Sequence, residues 1–456
     1  MAVEITRTPS SNGNQKIWTW SGWIKKATVG MGSGDYQMLF TANIGSGSRY
    51  TDVFFREDYF EVFGGVYSTS TTTVDINVST NRKFRDPSAF YHLVVAVDTT
   101  QATASNRVKI YVNGVQETSL KNYQGSSVVY PAQNNNTFMN VTTAQNRIGA
   151  SGGSYPFKGL MTHVHFIDGT AYTPSTFGET DSTSGIWKPK ASPTGITYGT
   201  NGFFLKFENS GNLDLDSSGN NHTFATSGTL TQNVDTPSNN FATFSTIYQP
   251  KDSGNAGMSN GNLTHGGSGG DYSGCAGLGM KTGKYYWEVK FSAGSSTRNI
   301  GIVRADKIHS NTTYGFYLAQ GGSGSLTTEY SAGYRGADGD FVVKSTGSQT
   351  LTSASTTIAI GDIVGVAVDC DNYTIQFFKN GVSMQTLNLT SAFFDVAQLP
   401  ADRTDDGTYF QYNFGQGYFG TTAVASAGTA PSEGGIFEYN CPNGYQALCT
   451  KGINSF

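Results

Sequence analysis

Val95-Ala96-Val97-Asp98 recurs far downstream as Val366-Ala367-Val368-Asp369, and each copy leads through a polar turn into an alternating run that stops at Asn-Gly. Those runs are Val108-Lys109-Ile110-Tyr111-Val112 before Asn113-Gly114, and Thr374-Ile375-Gln376-Phe377-Phe378 before Asn380-Gly381. Asn-Gly after an alternating run signals a tight hairpin, because a type I′ turn needs φ > 0 at both central residues and these two tolerate it. The repeat predicts two meanders, and with them two β-sandwiches of related design.

Composition agrees with that reading. Gly accounts for 57 of the 456 residues, aromatics for 13% and charged residues for 14%. Such a chain suits many short strands joined by Gly, Ser, Thr and Asn turns, with almost no helix. The best helical candidate is a single turn at Thr173-Pro174-Ser175-Thr176-Phe177, where Pro fits a first helical position after a Thr cap. The formal net charge is −4 and no Lys/Arg run occurs, so the long-range attraction that drives binding to nucleic acid or anionic membranes is missing. No apolar stretch approaches membrane-spanning length, and Met1–Arg7 lacks the apolar core of a signal peptide. Cys275, Cys370, Cys441 and Cys449 lack the spacing of a zinc site. A Cys441–Cys449 bridge would close a terminal loop; buried free thiols are the alternative that a reducing cytosol favours.

The first segment opens on Ile17-Trp18-Thr19-Trp20-Ser21-Gly22-Trp23-Ile24, where Trp18, Trp20 and Ile24 share one strand face, expected to be core. It closes on Tyr155-Pro156-Phe157-Lys158-Gly159-Leu160-Met161-Thr162-His163-Val164-His165-Phe166-Ile167. With Tyr91–Asp98 and Tyr111-Val112-Asn113-Gly114-Val115, these strands resemble the concanavalin A-like, laminin-G-like jelly roll over residues 10 to 178. That family carries an acidic pair after Gly-Leu in its last strand, where this chain has Thr162 and His163.

The second segment resembles a SPRY domain. Gly283-Lys284-Tyr285-Tyr286-Trp287-Glu288-Val289, Gly361–Asp369, Ile375–Val382 and Tyr412-Asn413-Phe414-Gly415 match its strands in order. Upstream, Asn239-Asn240-Phe241-Ala242-Thr243 and Ser259-Asn260-Gly261-Asn262-Leu263 look like the lead-in strands of SPRY modules in bacteriophage virion proteins. The expected fold is therefore all-β. Two antiparallel jelly-roll sandwiches, 1–178 and 236–421, are joined by an ordered β-rich connector, 179–235, and followed by a docking tail, 422–456. The apolar run Gly202-Phe203-Phe204-Leu205-Lys206-Phe207 requires that the connector pack on a neighbour.

Candidate chemistry is sparse. Gly266-Gly267-Ser268-Gly269-Gly270, beside His265, has nucleophile-elbow spacing but lacks the strand-turn-helix context. A jelly-roll glycosidase needs two cooperating carboxylates. The nearest cluster, Glu57, Asp58 and Glu61, reads as a solvated strand edge. His163 and His165 share a strand face on which two imidazoles can meet a metal, yet no third ligand follows, and an exposed face accounts for them. Asp214, Asp216 and Asn220 offer oxygens to Ca²⁺, or form an Asx-type turn. No catalytic residue, resident metal or other cofactor is assigned.

Recognition in sandwiches falls to loops on a rigid scaffold. The contact candidates are Tyr314, Tyr330, Tyr334 and Arg335 in the second sandwich. In the first they are Tyr50, Asp52, Tyr59 and Tyr67, chosen by residue type as an aromatic plate with polar partners for sugar. The expected function is non-enzymatic: a virion appendage, decoration or fibre protein of a bacteriophage. Its partners would be other virion proteins and a host-surface glycan or protein, and its assembly a homo-oligomer, by analogy a trimer. The alternatives are a cytosolic SPRY adaptor that binds peptide and a jelly-roll glycoside hydrolase.

Overall fold

The computed structural model describes every residue except 1, 45–48, 68–71, 124–126, 191–192, 249–256, 269–271, 295–297, 309–329, 347, 354 and 406, and of 67, 72 and 248 the backbone alone. The fold is all-β, and the longest helix among the described residues is Thr450–Ile453. The chain divides into two compact units, Met1–Gln232 and Asn233–Phe456.

In the first unit an eight-stranded antiparallel sheet runs in the order Leu120–Lys121, Thr72–Lys83, Tyr59–Tyr67, Arg49–Arg56, Tyr36–Ile44, Ala144–Ile148, Glu4–Arg7 and Ala225–Ser227. A six-stranded sheet runs Phe203–Leu205, Gly159–Asp168, Ile17–Lys26, Tyr91–Asp98, Val108–Val112 and Val115–Glu117. Both sheets contribute to one apolar core, in which Trp18, Trp20 and Ile24 sit with Phe40, Phe55, Val95 and Phe166. The expected turn at Pro174–Thr176 forms a short 3-10 helix.

The segment read as a connector is built into this unit. Phe203–Leu205 is buried throughout and pairs with Val164–Phe166, and Ala225–Ser227 pairs with Glu4–Thr6. The physical reason is that a strand apolar on both faces is stable only as a member of a sheet. Trp187 lies against Gly114 and Gly178, and its Nε1 donates to His92 Nδ1 at 3.0 Å. His92 is held between Trp187 and Trp23, with ring centroids 5.9 and 4.6 Å away.

The second unit repeats the plan. An eight-stranded sheet carries Gly257–Ser259, Thr264–Gly266, Tyr409–Asn413, Lys284–Ala293, Ile363–Asp369, Thr374–Lys379 and Val382–Asn388 in that order, with Gln446–Ala447 from the tail pairing in parallel with Tyr285 and Tyr286. The facing sheet orders Tyr272–Cys275, Gln398–Thr404, Arg298–Arg304, Ser331–Arg335, Asp340–Ser345 and Ser348–Ser353.

The repeated phrase occupies equivalent places. Val95 pairs with Trp20 and Ile110, and Val366 pairs with Trp287 and Phe377. Asn113 and Asn380 both have positive φ, as do Gly114 and Gly381. The Asn113 side chain accepts the His92 N–H at 2.8 Å, and Asn380 accepts the Ile363 N–H at the same distance. All four cysteines are free and buried, so the terminal bridge is not formed. Cys441 instead reaches the Tyr445 carbonyl, and Cys449 caps Thr450–Ile453 by accepting the Gly452 N–H.

Candidate functional site

Strand alternation places Tyr50, Asp52, Phe54 and Arg56 on the outer face of the eight-stranded sheet in the first unit, while Val53 and Phe55 face its core. Register then builds rows across neighbouring strands. One row is Tyr36, Arg56, Tyr59 and Lys83; the next is Met38, Phe54, Glu61, Ser79 and Lys121; a third is Thr41, Asp52, Phe63 and Asn77. Directly opposed residues on one face lie close enough for side chains to interact, so each row is a line of contacts.

Aromatic rings run along this face. Tyr50 stacks on Phe63 at 5.8 Å, Tyr36 meets Phe54 at 5.9 Å, and Tyr155 meets Tyr36 edge-on at 5.1 Å. Tyr155 is 50% exposed, and Tyr36 and Tyr50 are half-buried. Within the band lies a buried ion pair. Arg56 donates through Nε and Nη2 to the two oxygens of Glu61, each at 3.0 Å, and Ser79 Oγ adds a donor at 2.8 Å. The guanidinium also lies 4.5 Å from the Tyr123 ring and 5.0 Å from the Tyr36 ring. A bidentate fork of this kind satisfies the carboxylate and justifies its burial.

Asp52 is a diagonal neighbour of Glu61 and is buried. Burial pushes its carboxyl up to about 7, with the Glu61 charge adding to the shift and the Thr41 hydroxyl opposing it. Burial likewise raises the Glu61 carboxyl, against the pull of Arg56.

The structure corrects several expectations here. Glu61 and Asp58 are buried, not a solvated edge: Asp58 binds Lys26 at 3.3 Å, Arg85 at 2.7 Å and the Gly30 N–H. Glu57 sits in the hairpin turn with φ 54° and takes the Tyr123 hydroxyl. Tyr59 is no free plate, because the Lys121 ammonium lies 3.1 Å from its ring centroid. The side chain of Tyr67 lies outside the described residues.

The histidine pair is also not on an open face. His165 is buried against Phe204, with ring centroids 3.8 Å apart and Nδ1 2.9 Å from the Tyr198 hydroxyl. His163, half-buried at a bulge with φ 49°, meets the same Phe204 at 5.7 Å. Burial lowers both imidazoles, His163 to about 4. Asp216 accepts the backbone N–H groups of Phe204, Ser218 and His222, Asp214 takes the Thr226 hydroxyl, and Asn220 donates to the Gly199 and Gly202 carbonyls. Among the described residues, no group of three or more His, Cys, Asp or Glu is placed to hold a metal.

The second unit scatters its candidates. Tyr334 is fully buried against Phe341 and Phe377, so it belongs to the core, because its place in a central strand aims it inward. Tyr330 and Arg335 stand at opposite ends of the Ser331–Arg335 strand, about 16 Å apart at the usual rise. Tyr330 carries the Arg304 guanidinium 4.1 Å from its ring centroid and accepts from Thr346 Oγ1. Arg335 pairs with Asp338 and Asp340. Tyr314 lies outside the described residues, as do Gly269 and Gly270 of the Gly/Ser motif. His265 is fully buried, 2.7 Å from Asp402, whose other oxygen accepts the Tyr412 hydroxyl at 2.6 Å.

Sequence reasoning missed Tyr36, Arg56, Tyr123 and Tyr155. The period-2 pattern of Arg49–Arg56 shows Arg56 beside Tyr50 and Asp52 on one face, but the partners arrive only through register.

Residues 284–399 match the SPRY domain model. No curated protein matches the chain. Among solved structures, the SPRY domain of human HERC1 is 18% identical, covers 36% of this chain and 94% of its own, and has a TM-score of 0.27. The TRIM65 PSpry domain is 11% identical, covers 38% and 91% respectively, and has a TM-score of 0.28.

Proposed function

We propose that this chain is a non-enzymatic adhesion or decoration protein of a bacteriophage particle, with one sandwich for protein and one for glycan. The SPRY region is a protein-binding module, and it is read here as the contact to neighbouring virion proteins or to a host protein. The first sandwich, read as laminin-G-like, offers the aromatic band of Tyr36, Tyr50 and Tyr155 to host-surface sugar. Rings beside polar side chains suit carbohydrate, whose C–H faces stack while its hydroxyls hydrogen-bond. The observation that carries the binding reading is Glu61: its two oxygens are taken by Arg56 and Ser79, leaving Asp52 without a free carboxylate partner for glycoside cleavage.

Retention of the purified chain on a polysaccharide panel tests this reading. Binding without chain shortening, weakened at least ten-fold in Y36A/Y50A, is expected; shortened products would return the hydrolase alternative. Mass spectrometry of purified particles tests the location, and absence of the chain there would remove the virion assignment. Sedimentation of the same material tests the homo-oligomer and its expected three-fold state.

A further inference from the structure

Several cations near the Tyr59 end of this sheet are paired with carboxylates. Arg56 holds Glu61, Arg82 holds Glu117 at 3.0 Å, and Arg85 and Lys26 share Asp58. Lys83 and Lys121 are not. They come from neighbouring strands, Thr72–Lys83 and Leu120–Lys121, and both converge on Tyr59 of the next strand, with ammonium nitrogens 4.8 and 3.1 Å from its ring centroid. Among the described residues neither lysine forms a close ion pair with a carboxylate: Lys121 feels the Glu61 charge only from across Ser79, and the neighbouring Glu57 takes the Tyr123 hydroxyl.

Two ammonium groups on one phenol repel each other, and the ring's quadrupole offsets only part of that cost. The two ammonium groups, Lys83 foremost, lower the Tyr59 phenol from its ordinary value. A mobile anion would complete the compensation that Glu61 gives Lys121 only in part. The pair stands at the rim of the aromatic band, because Tyr59 occupies the same row as Tyr36 and Arg56.

We infer that Lys83 and Lys121, positioned by Tyr59, form an anion subsite that takes the carboxylate or sulfate of an acidic sugar while the neighbouring aromatic band takes its uncharged rings. The inference rests on the glycan reading above and narrows it to acidic glycans. Anionic oxygens accept charge-assisted hydrogen bonds from both ammonium groups, and the attraction weakens with added salt.

The test is isothermal titration of the full chain with oligogalacturonate and with its fully methyl-esterified form, at low and at physiological salt. Binding of the acid at least ten-fold tighter than the ester, falling with salt, is expected. K83Q/K121Q should abolish that preference while leaving affinity for the ester unchanged. Equal affinity for acid and ester in the wild type, or a preference that survives in K83Q/K121Q, overturns the subsite alone. Failure of both sugars to bind overturns the subsite together with the glycan reading. Inorganic sulfate competing as well as the oligosaccharide would also overturn it, since a free anion would then suffice. Circular dichroism confirms that K83Q/K121Q is folded.

Discussion

The Glu288 carboxylate accepts the backbone N–H of Tyr439 at 2.8 Å, tying the middle of a central strand to the C-terminal tail across 151 residues of sequence. The Glu438 N–H arrives at the same distance, and Tyr286 and Asn413 donate from the strand side. One buried side chain thus satisfies two backbone donors that docking the tail would otherwise leave without partners.

Burial pushes Glu288 from its ordinary 4.5 up to about 7, against the pull of those donors. Between these values the folded chain keeps a proton that the unfolded chain has released, so the contribution of this group to stability falls as pH rises through the window. E288Q removes the titration, and its stability relative to wild type should therefore improve steadily from pH 5 to pH 8. E288A, which strips both tail N–H groups of their acceptor, should cost about 2–3 kcal/mol and expose the tail to protease. Urea titration and limited proteolysis read both effects, and a wild-type midpoint in E288A would contradict the anchor.

Asp52 makes a parallel prediction in the first unit. Its carboxyl, raised from 3.8 to about 7, is protonated in the fold where the unfolded chain is ionised, so stability is lost as pH rises between the two. D52N keeps an oxygen for the Thr41 hydroxyl and cannot ionise. Its melting temperature should exceed wild type by a few degrees at pH 8 and match it near pH 4, as read by calorimetry.

Three histidines act in the opposite direction. Burial lowers His92 from 6.5 to about 3 and His163 to about 4, and holds His165 well below its ordinary value. The unfolded chain binds these protons first, so the stability they contribute is present above pH 6.5 and drains as pH falls below it. Acid unfolding of the first unit should show an uptake approaching three protons from these sites, and H165F should reduce it by one. An unchanged proton uptake in H165F would sink this account.

The two Asn-Gly turns should respond alike. N113A and N380A each put alanine, which tolerates positive φ less well than asparagine, at the turn and delete the side-chain acceptor for the His92 or Ile363 N–H. Each should cost about 1–2 kcal/mol by chemical denaturation. G381A should cost more, because its new carbon would come within 2.6 Å of the Tyr439 ring.

Much of the architecture was legible from the chain itself. The paired Val-Ala-Val-Asp phrases, the Asn-Gly stops and the face shared by Trp18, Trp20 and Ile24 are local, period-2 signals, and a strand that alternates has little choice about which side it buries. The candidate sites were less legible. Tyr334 looked like a contact residue and is core, while Asp58 and Glu61 looked solvated and are buried, because burial of a polar side chain depends on which partner another strand brings. Tyr59 was singled out by type, but the lysines that cap it come from strands 24 and 62 residues further along.

What the sequence by itself determined is therefore the all-β character, the two repeated meanders and the inner faces of their strands, since backbone dihedral preference and side-chain alternation act between near neighbours. Only the tertiary structure decided that Phe203–Leu205 joins the first sandwich, that Arg56 closes on Glu61, and that Lys83 meets Lys121 over one ring. Those relations depend on register between strands distant in the chain, and register is set by the packing of the whole core.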